Sequence, residues 1–191
     1  MGMAIVALIF GMALPALSSM MERYTAKIYM DNLHNALLLA YSEAIARKSN
    51  VVVCPRQSVD SIQCHSGSLG DDNNAANIWK QGFLVFVDRS DTQTPSYTSI
   101  DVADGDQLIR AFDSTESDAG FLVNGSNVSG QLGYVRFNSR GGSSPSTPSF
   151  LMCLTDSGAN RLFSAYMALS YGRVRVAGKT EAEDECGDAG L

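Results

Sequence analysis

The sequence predicts an α+β fold, with one long N-terminal α-helix packed on an antiparallel β-sheet head. Two sheets are expected in that head, with strands running into the C-terminal region. Three observations carry this reading. Residues 1–21 contain no charge before Glu22 and Arg23. Apolar residues then recur at Met30, Leu33, Leu37, Ala40 and Ala44, the three- and four-residue spacing of one helix face. Beyond residue 50 the apolar residues come in short runs split by turn residues. That order fits a helix laid on antiparallel sheet and not the alternation of a parallel α/β fold.

Taken in order, the uncharged run comes first. At ~1.5 Å per residue it is ~31 Å long as a helix, close to the thickness of a bilayer's hydrocarbon core. It divides the chain into residues 1–22, a hydrophobic helix for membrane or filament core, and residues 23–191, a globular head. A signal peptide is the poorer reading, because no Lys or Arg precedes Arg23 and a signal peptide needs a basic start. Gly2, Gly11 and Pro15 are tolerated better in a membrane or packed-helix setting than in a free helix. Residues 23–48 continue as helix until Ser49-Asn50 breaks it.

Val51-Val52-Val53 ending at Cys54-Pro55 reads as a strand, and residues 55–77, rich in Gly, Asp and Asn, as loop. Trp79 to Asp88 is the clearest strand. Phe83, Val85 and Val87 alternate with Leu84 and Phe86, so both faces are apolar and both are expected to be buried. Further strands are expected at Leu108–Phe112, Gly120–Val123, Tyr134–Phe137, Phe150–Leu154, Leu162–Leu169 and Arg173–Val176. Asp104-Gly105 and Asn124-Gly125 are turn signals. Arg140 to Ser149, rich in Gly, Ser and Pro, reads as a flexible surface loop. From Lys179 the tail is acidic.

Composition narrows the function. The chain has 191 residues, 45% hydrophobic, with a formal net charge of −6. It is long enough for one domain with a real core, and its charge argues against a broad nucleic-acid surface. The histidines are His34, at the margin of the helix stripe, and His65, in a polar loop. No nucleophile elbow, phosphate loop or dinucleotide fingerprint is present, so no catalysis, cofactor or small-molecule substrate is expected. The carboxylates of Asp101, Asp104 and Asp106 lack the spacing of a calcium-binding EF-hand loop. Four cysteines, Cys54, Cys64, Cys153 and Cys186, allow three pairings. The favoured set is Cys54–Cys64, closing a short loop, and Cys153–Cys186, tying the tail to a strand in an oxidising compartment. Zinc is the rival, but no CxxC pair is present and no metal is expected.

These features resemble the GspH/FimT/FimU family of type IV minor pilins and type II secretion pseudopilins. The resemblance rests on the apolar helix with Pro15 before its middle, and on the segment Leu37-Leu38-Leu39-Ala40-Tyr41-Ser42-Glu43-Ala44-Ile45-Ala46-Arg47. It continues through the strand ending Val53-Cys54-Pro55, the segment Trp79, Gly82, Phe83 to Phe86, and the C-terminal Gly172-Arg173-Val174-Arg175, which is similar to the family's G-R-x-R element. It departs at the start. The family's basic leader, processing glycine, N-terminal phenylalanine and nearby glutamate do not stand upstream of Pro15, so the chain is expected to begin inside the helix.

The resemblance implies a pilin-like fold and a non-enzymatic subunit that contributes to filament assembly or a tip complex. It implies a single-pass inner-membrane protein with a periplasmic head, assembled into a pilus or pseudopilus. Expected partners are other minor pilins or pseudopilins, the major pilin and the inner membrane. Ile5, Leu8, Ile9, Met12 and Pro15 are the face expected to pack on neighbouring helices. A GspH-like role in protein secretion is one alternative. The other is DNA binding, as implied by FimT-like members. On a strand Arg173 and Arg175 point to one side, where paired guanidinium groups can grip adjacent phosphates, with Arg161 and Lys179 extending the patch. The competing expectation is that Glu181, Glu183 or Asp184 neutralises the arginines within a Debye length of ~8–10 Å.

Overall fold

The structure is a computed structural model. It describes residues 2–65, 75–89, 105–114, 120–127, 130–131, 133–155, 161–170 and 172–176. For residues 2–19, 75–77, 120–127, 130–131, 154–155, 161–163 and 166 it describes the backbone alone. Among the described residues one α-helix, α1 (Gly2–Arg47), precedes ten strands. These are β1 (Asn50–Pro55), β2 (Phe83–Asp88), β3 (Gln107–Phe112), β4 (Gly120–Asn127), β5 (Gly130–Gln131), β6 (Val135–Phe137), β7 (Ser143–Ser144), β8 (Ser149–Thr155), β9 (Arg161–Ser170) and β10 (Arg173–Val176). They form two five-stranded sheets, in the orders β3-β2-β1-β6-β7 and β10-β9-β8-β4-β5. Every described pairing is antiparallel.

The helix stripe read from the sequence is the one that is buried. Ala26, Tyr29, Met30, Leu33, Ala36, Leu37, Ala40 and Ala44 all face the core. Four of these eight are alanines, which lets the helix backbone lie close to the sheets while Leu33 and Leu37 fill the gaps. Each fully buried leucine contributes roughly 1.5–3 kcal/mol relative to exposure. Leu38 and Ile45 stand on the outer face, exposed. The helix ends where Lys48 takes a left-handed backbone, φ 52°, and Ser49 N–H bonds back to Ala44 O at 3.3 Å. This is the closing pattern of many helices.

Both sheets contribute to that single core. Val51 and Val53 of β1, Phe83, Val85 and Val87 of β2, and Val135 and Phe137 of β6 meet Phe150 and Met152 of β8 and Met167 and Leu169 of β9. Accordingly α1 touches β1, β2 and β6 of the first sheet and β8, β9 and β10 of the second. The two-faced burial expected for β2 holds, since all six of its residues are buried. Its second face, Leu84 and Phe86, packs with Val52, Cys54, Cys64 and Tyr134.

Three local expectations are corrected. The strand expected from Trp79 begins instead at Phe83, because Ala75–Gln81 forms a 3₁₀ helix that ends at Gly82, φ 93°. The tight turn swings Trp79 into the core, edge-on to Phe150 with centroids 4.9 Å apart. The expected turn at Asn124-Gly125 is interior strand, with these residues opposite Leu151 and Phe150; strand pairing overrides the dipeptide's turn preference. The Arg140–Ser149 segment is built rather than loose. Ser143 and Ser144 pair with Phe137 and Arg136, and Gly141 and Pro148 are buried. Of the Asp104-Gly105 signal, Gly105 lies in a turn at φ 86°, and Asp104 lies outside the described residues.

Candidate functional site

The C-terminal basic element is built from the turn upward. β9 and β10 pair with Ser170 opposite Arg173, and Gly172 stands in the turn before β10. Gly172 has φ 82°, a conformation glycine adopts without the steric cost other residues meet. It also lies against the β6–β7 turn: a Cβ at position 172 would stand 2.0 Å from Gly141 O and 3.3 Å from the Tyr41 ring. Gly141, φ 82°, is confined less severely, with Tyr41 Cε2 2.8 Å from where its Cβ would be. Asn138 holds this turn in shape, its Oδ1 accepting from Arg140 N–H at 2.9 Å and Gly142 N–H at 3.0 Å. Tyr41 in turn packs edge-on to Phe137.

This junction unites the two most distinctive motifs of the sequence. Tyr41 sits inside the Leu37–Arg47 helix segment, and Gly172 opens the Gly-Arg-x-Arg element. The glycine of that element is therefore a packing residue, and the arginines are what it presents.

β10 is the outer strand of the second sheet. Val174 packs on the core, whereas Arg173 and Arg175 are exposed, as strand alternation requires. Sequence reasoning missed Arg140. It is exposed, next to Gly141, so it and Arg173 each stand one residue from the Gly141–Gly172 contact. Only the meeting of two distant turns reveals it.

Arg161 is not brought to this group. It opens β9 opposite Thr155, seven residues along the strand from Ala168, the register partner of Arg175; at ~3.3 Å per residue that is ~23 Å. Lys179 and the acidic tail lie outside the described residues.

The other expected residues are placed as follows. Cys54 and Cys64 form a disulfide with Cα atoms 5.6 Å apart, closing a loop whose ends also pair as a bridge between Arg56 and Cys64. Cys153 is disulfide-bonded, and Cys186, its expected partner, lies outside the described residues. So do the side chains of Ile5, Leu8, Ile9, Met12 and Pro15. Among the residues whose side chains are described, no helix is long and apolar enough to cross a membrane. Among them also, no three metal-ligating side chains converge. Asp106 Oδ1 accepts from Arg89 N–H at 2.9 Å, and Asp101 and Asp104 lie outside. His34 is half-buried at the margin of the helix stripe. His65 donates its backbone N–H to Pro55 O at 2.9 Å.

At the other end of the head, Tyr29 joins the helix to the Trp79 turn. Its hydroxyl donates to Trp79 O, and its ring meets Phe83 edge-on at 5.6 Å. Burial pushes its phenol well above the usual tyrosine range, with a backbone hydrogen bond from Gly82 pulling weakly the other way.

The helix laid across two antiparallel sheets and the order of the motifs define a comparison. The family model for GspH, the type II transport protein, matches residues 30–167. The chain belongs to the GspH family. The structure is similar to the type IV minor pilin FimU of Pseudomonas aeruginosa in two crystal forms. The first match has a TM-score of 0.52 at 14% identity, covering 84% of this chain and 94% of FimU. The second has a TM-score of 0.50 at 13% identity, covering 82% and 95%. No curated protein matches the sequence. The GspH family consists of minor pilins and pseudopilins, membrane-anchored structural subunits that assemble with other pilins.

Proposed function

We propose that the chain is a non-enzymatic minor pilin of a type IV pilus, acting in filament assembly or at the tip, with a single-pass inner-membrane anchor and a periplasmic head. The observation that carries this is the division of α1. Among the described side chains its buried stripe begins at Ala26, whereas Met20, Met21 and Tyr24 are exposed. The helix reaches 46 residues, ~69 Å at ~1.5 Å per residue, and in this reading its opening residues serve as a handle. Ile5, Leu8, Ile9, Met12 and Pro15 are then the face for sibling helices. The similarity to FimU supports the pilus reading over the secretion one. Deleting the gene is expected to abolish or reduce surface pili, with complementation restoring them. Normal pili together with lost protein export would assign it instead to a GspH-like pseudopilin, the role that the family description supports.

A second reading is DNA capture. What favours it is the exposure of Arg173 and Arg175 on one side of an outer strand. Binding to double-stranded DNA should weaken steeply with salt and fall when both become glutamine. Salt-insensitive or absent binding rejects it.

A further inference from the structure

β3 is the outer strand of the first sheet, and it is tethered at both ends. Arg47 Nη1 donates to Gln107 Oε1 at 2.8 Å, fixing its start to the end of α1. Arg56, buried beside the disulfide, donates to Asp113 Oδ1 at 3.0 Å and to Ser61 O at 2.8 Å, fixing its far end to the Cys54–Cys64 loop. Between that far end, α1 and the disulfide loop lies an open cavity of about 620 Å³, within the ~300–1,000 Å³ range of ligand sites. Phe112, stacked on Phe83 at 4.6 Å, forms an apolar wall. Ile28 and Val59 line the same cavity, yet are left 42% and 49% exposed, apolar side chains that a partner would cover.

Among the described residues the charges of this groove are unbalanced. Asp113 is already engaged by Arg56. Arg110 lies over the Phe112 ring at 4.7 Å, exposed, with no carboxylate partner among the described residues. Among the described residues the groove thus offers an outer strand edge, an apolar wall and a guanidinium without a carboxylate partner. We propose that it receives an extended acidic segment of a neighbouring subunit, which adds as a strand to β3, places an apolar side chain against Phe112, Ile28 and Val59, and pairs a carboxylate with Arg110. Strand addition supplies main-chain hydrogen bonds, and the pocket beside the edge selects alternate side chains. Only the identity of the donor rests on the filament reading above.

The test uses the full-length chain in detergent micelles and the capped peptide Thr-Glu-Leu-Glu-Val-Thr, with a lysine-for-glutamate version as control. Methyl NMR is expected to show the acidic peptide shifting Ile28 and Val59, and the lysine peptide binding at least ~10-fold more weakly, as a charge reversal across a partly desolvated pair predicts. Arg110→Glu should invert that preference. Equal binding of both peptides, shifts away from the groove, or no binding at millimolar peptide overturns the proposal. A photo-crosslinker at Val59 in cells separates the two readings. A trapped sibling pilin supports both. Trapping of an acidic segment from a protein that is not a pilin supports strand capture by the groove and counts against the filament role.

Discussion

Gly172 rests directly on the carbonyl oxygen of Gly141, with no room between them for a single methyl group. That contact welds the β9–β10 turn of the second sheet to the β6–β7 turn of the first, and Tyr41 of the helix caps both. The outer arginines are displayed from a joint that belongs to the hydrophobic core.

Gly172→Ala is expected to destabilise the head by about 2–4 kcal/mol, combining a left-handed backbone position with overpacking. Thermal denaturation would show it as a lowered Tm. Arg173→Gln at the adjacent exposed position should change stability by less than about 0.5 kcal/mol, so the pair separates scaffold from display.

Leu33→Ala should cost about 2–5 kcal/mol, the range for truncating a fully buried leucine. Leu38→Ala, 43% exposed on the opposite helix face, should cost far less. Urea denaturation of the two variants would test whether the stripe at Ala26–Ala44 is what fastens α1 to the head. Equal losses would contradict it.

Replacing Cys54 and Cys64 together by serine opens a loop of sequence separation 10. Loop-closure entropy puts the loss at roughly 3 kcal/mol. Because Arg56 in the same loop reaches Asp113 and Ser61, hydrogen exchange should accelerate at the end of β3 as well as in the loop. An effect confined to residues 54–64 would argue against that coupling.

Tyr29 imposes a pH dependence at the alkaline end. Its hydroxyl stays protonated in the folded head, whereas an unfolded tyrosine ionises near pH ~10. The folded-state pKa is the higher one, so the associated stability is fully present below pH ~10. It is lost as pH rises beyond that, because only the unfolded chain releases the proton. Tyr29→Phe should cost about 1–2 kcal/mol at neutral pH through loss of the hydroxyl's hydrogen bond to the Trp79 carbonyl, and should flatten the decline above pH ~10. Chemical denaturation at pH 8 and pH 10.5 measures both.

The parts that were legible in the sequence were those governed by period. The helix stripe at Met30, Leu33, Leu37, Ala40 and Ala44, and the doubly apolar Phe83–Val87 run, announce their burial through local spacing alone. Turns are less legible. Asn124-Gly125 carries a strong turn preference, yet in β4 both residues are paired with β8, because ladder hydrogen bonds and neighbouring strands outweigh a dipeptide's propensity. The Trp79 strand failed at its start for a similar reason: Gly82 adopts φ 93° and lets a 3₁₀ turn deliver the indole to Phe150. The candidate site was half legible. Arg173 and Arg175 share a face by alternation, but that Arg140 stands beside the Gly141–Gly172 contact depends on which turns meet, and the distance of Arg161 from Arg175 along β9 depends on strand register.

Sequence alone thus determined that a long helix lies on a β-rich head, which faces are apolar, and that two arginines stand two residues apart near the end. Side-chain period is a property of the local chain and needs no knowledge of distant partners. Only the tertiary structure decided that Tyr41, Gly141 and Gly172 form one joint, that Arg56 ties the disulfide loop to β3, and that Arg110 is left beside an open groove. Each of those depends on contacts between residues far apart in the chain, where close packing and charge pairing, rather than local propensity, choose the neighbour.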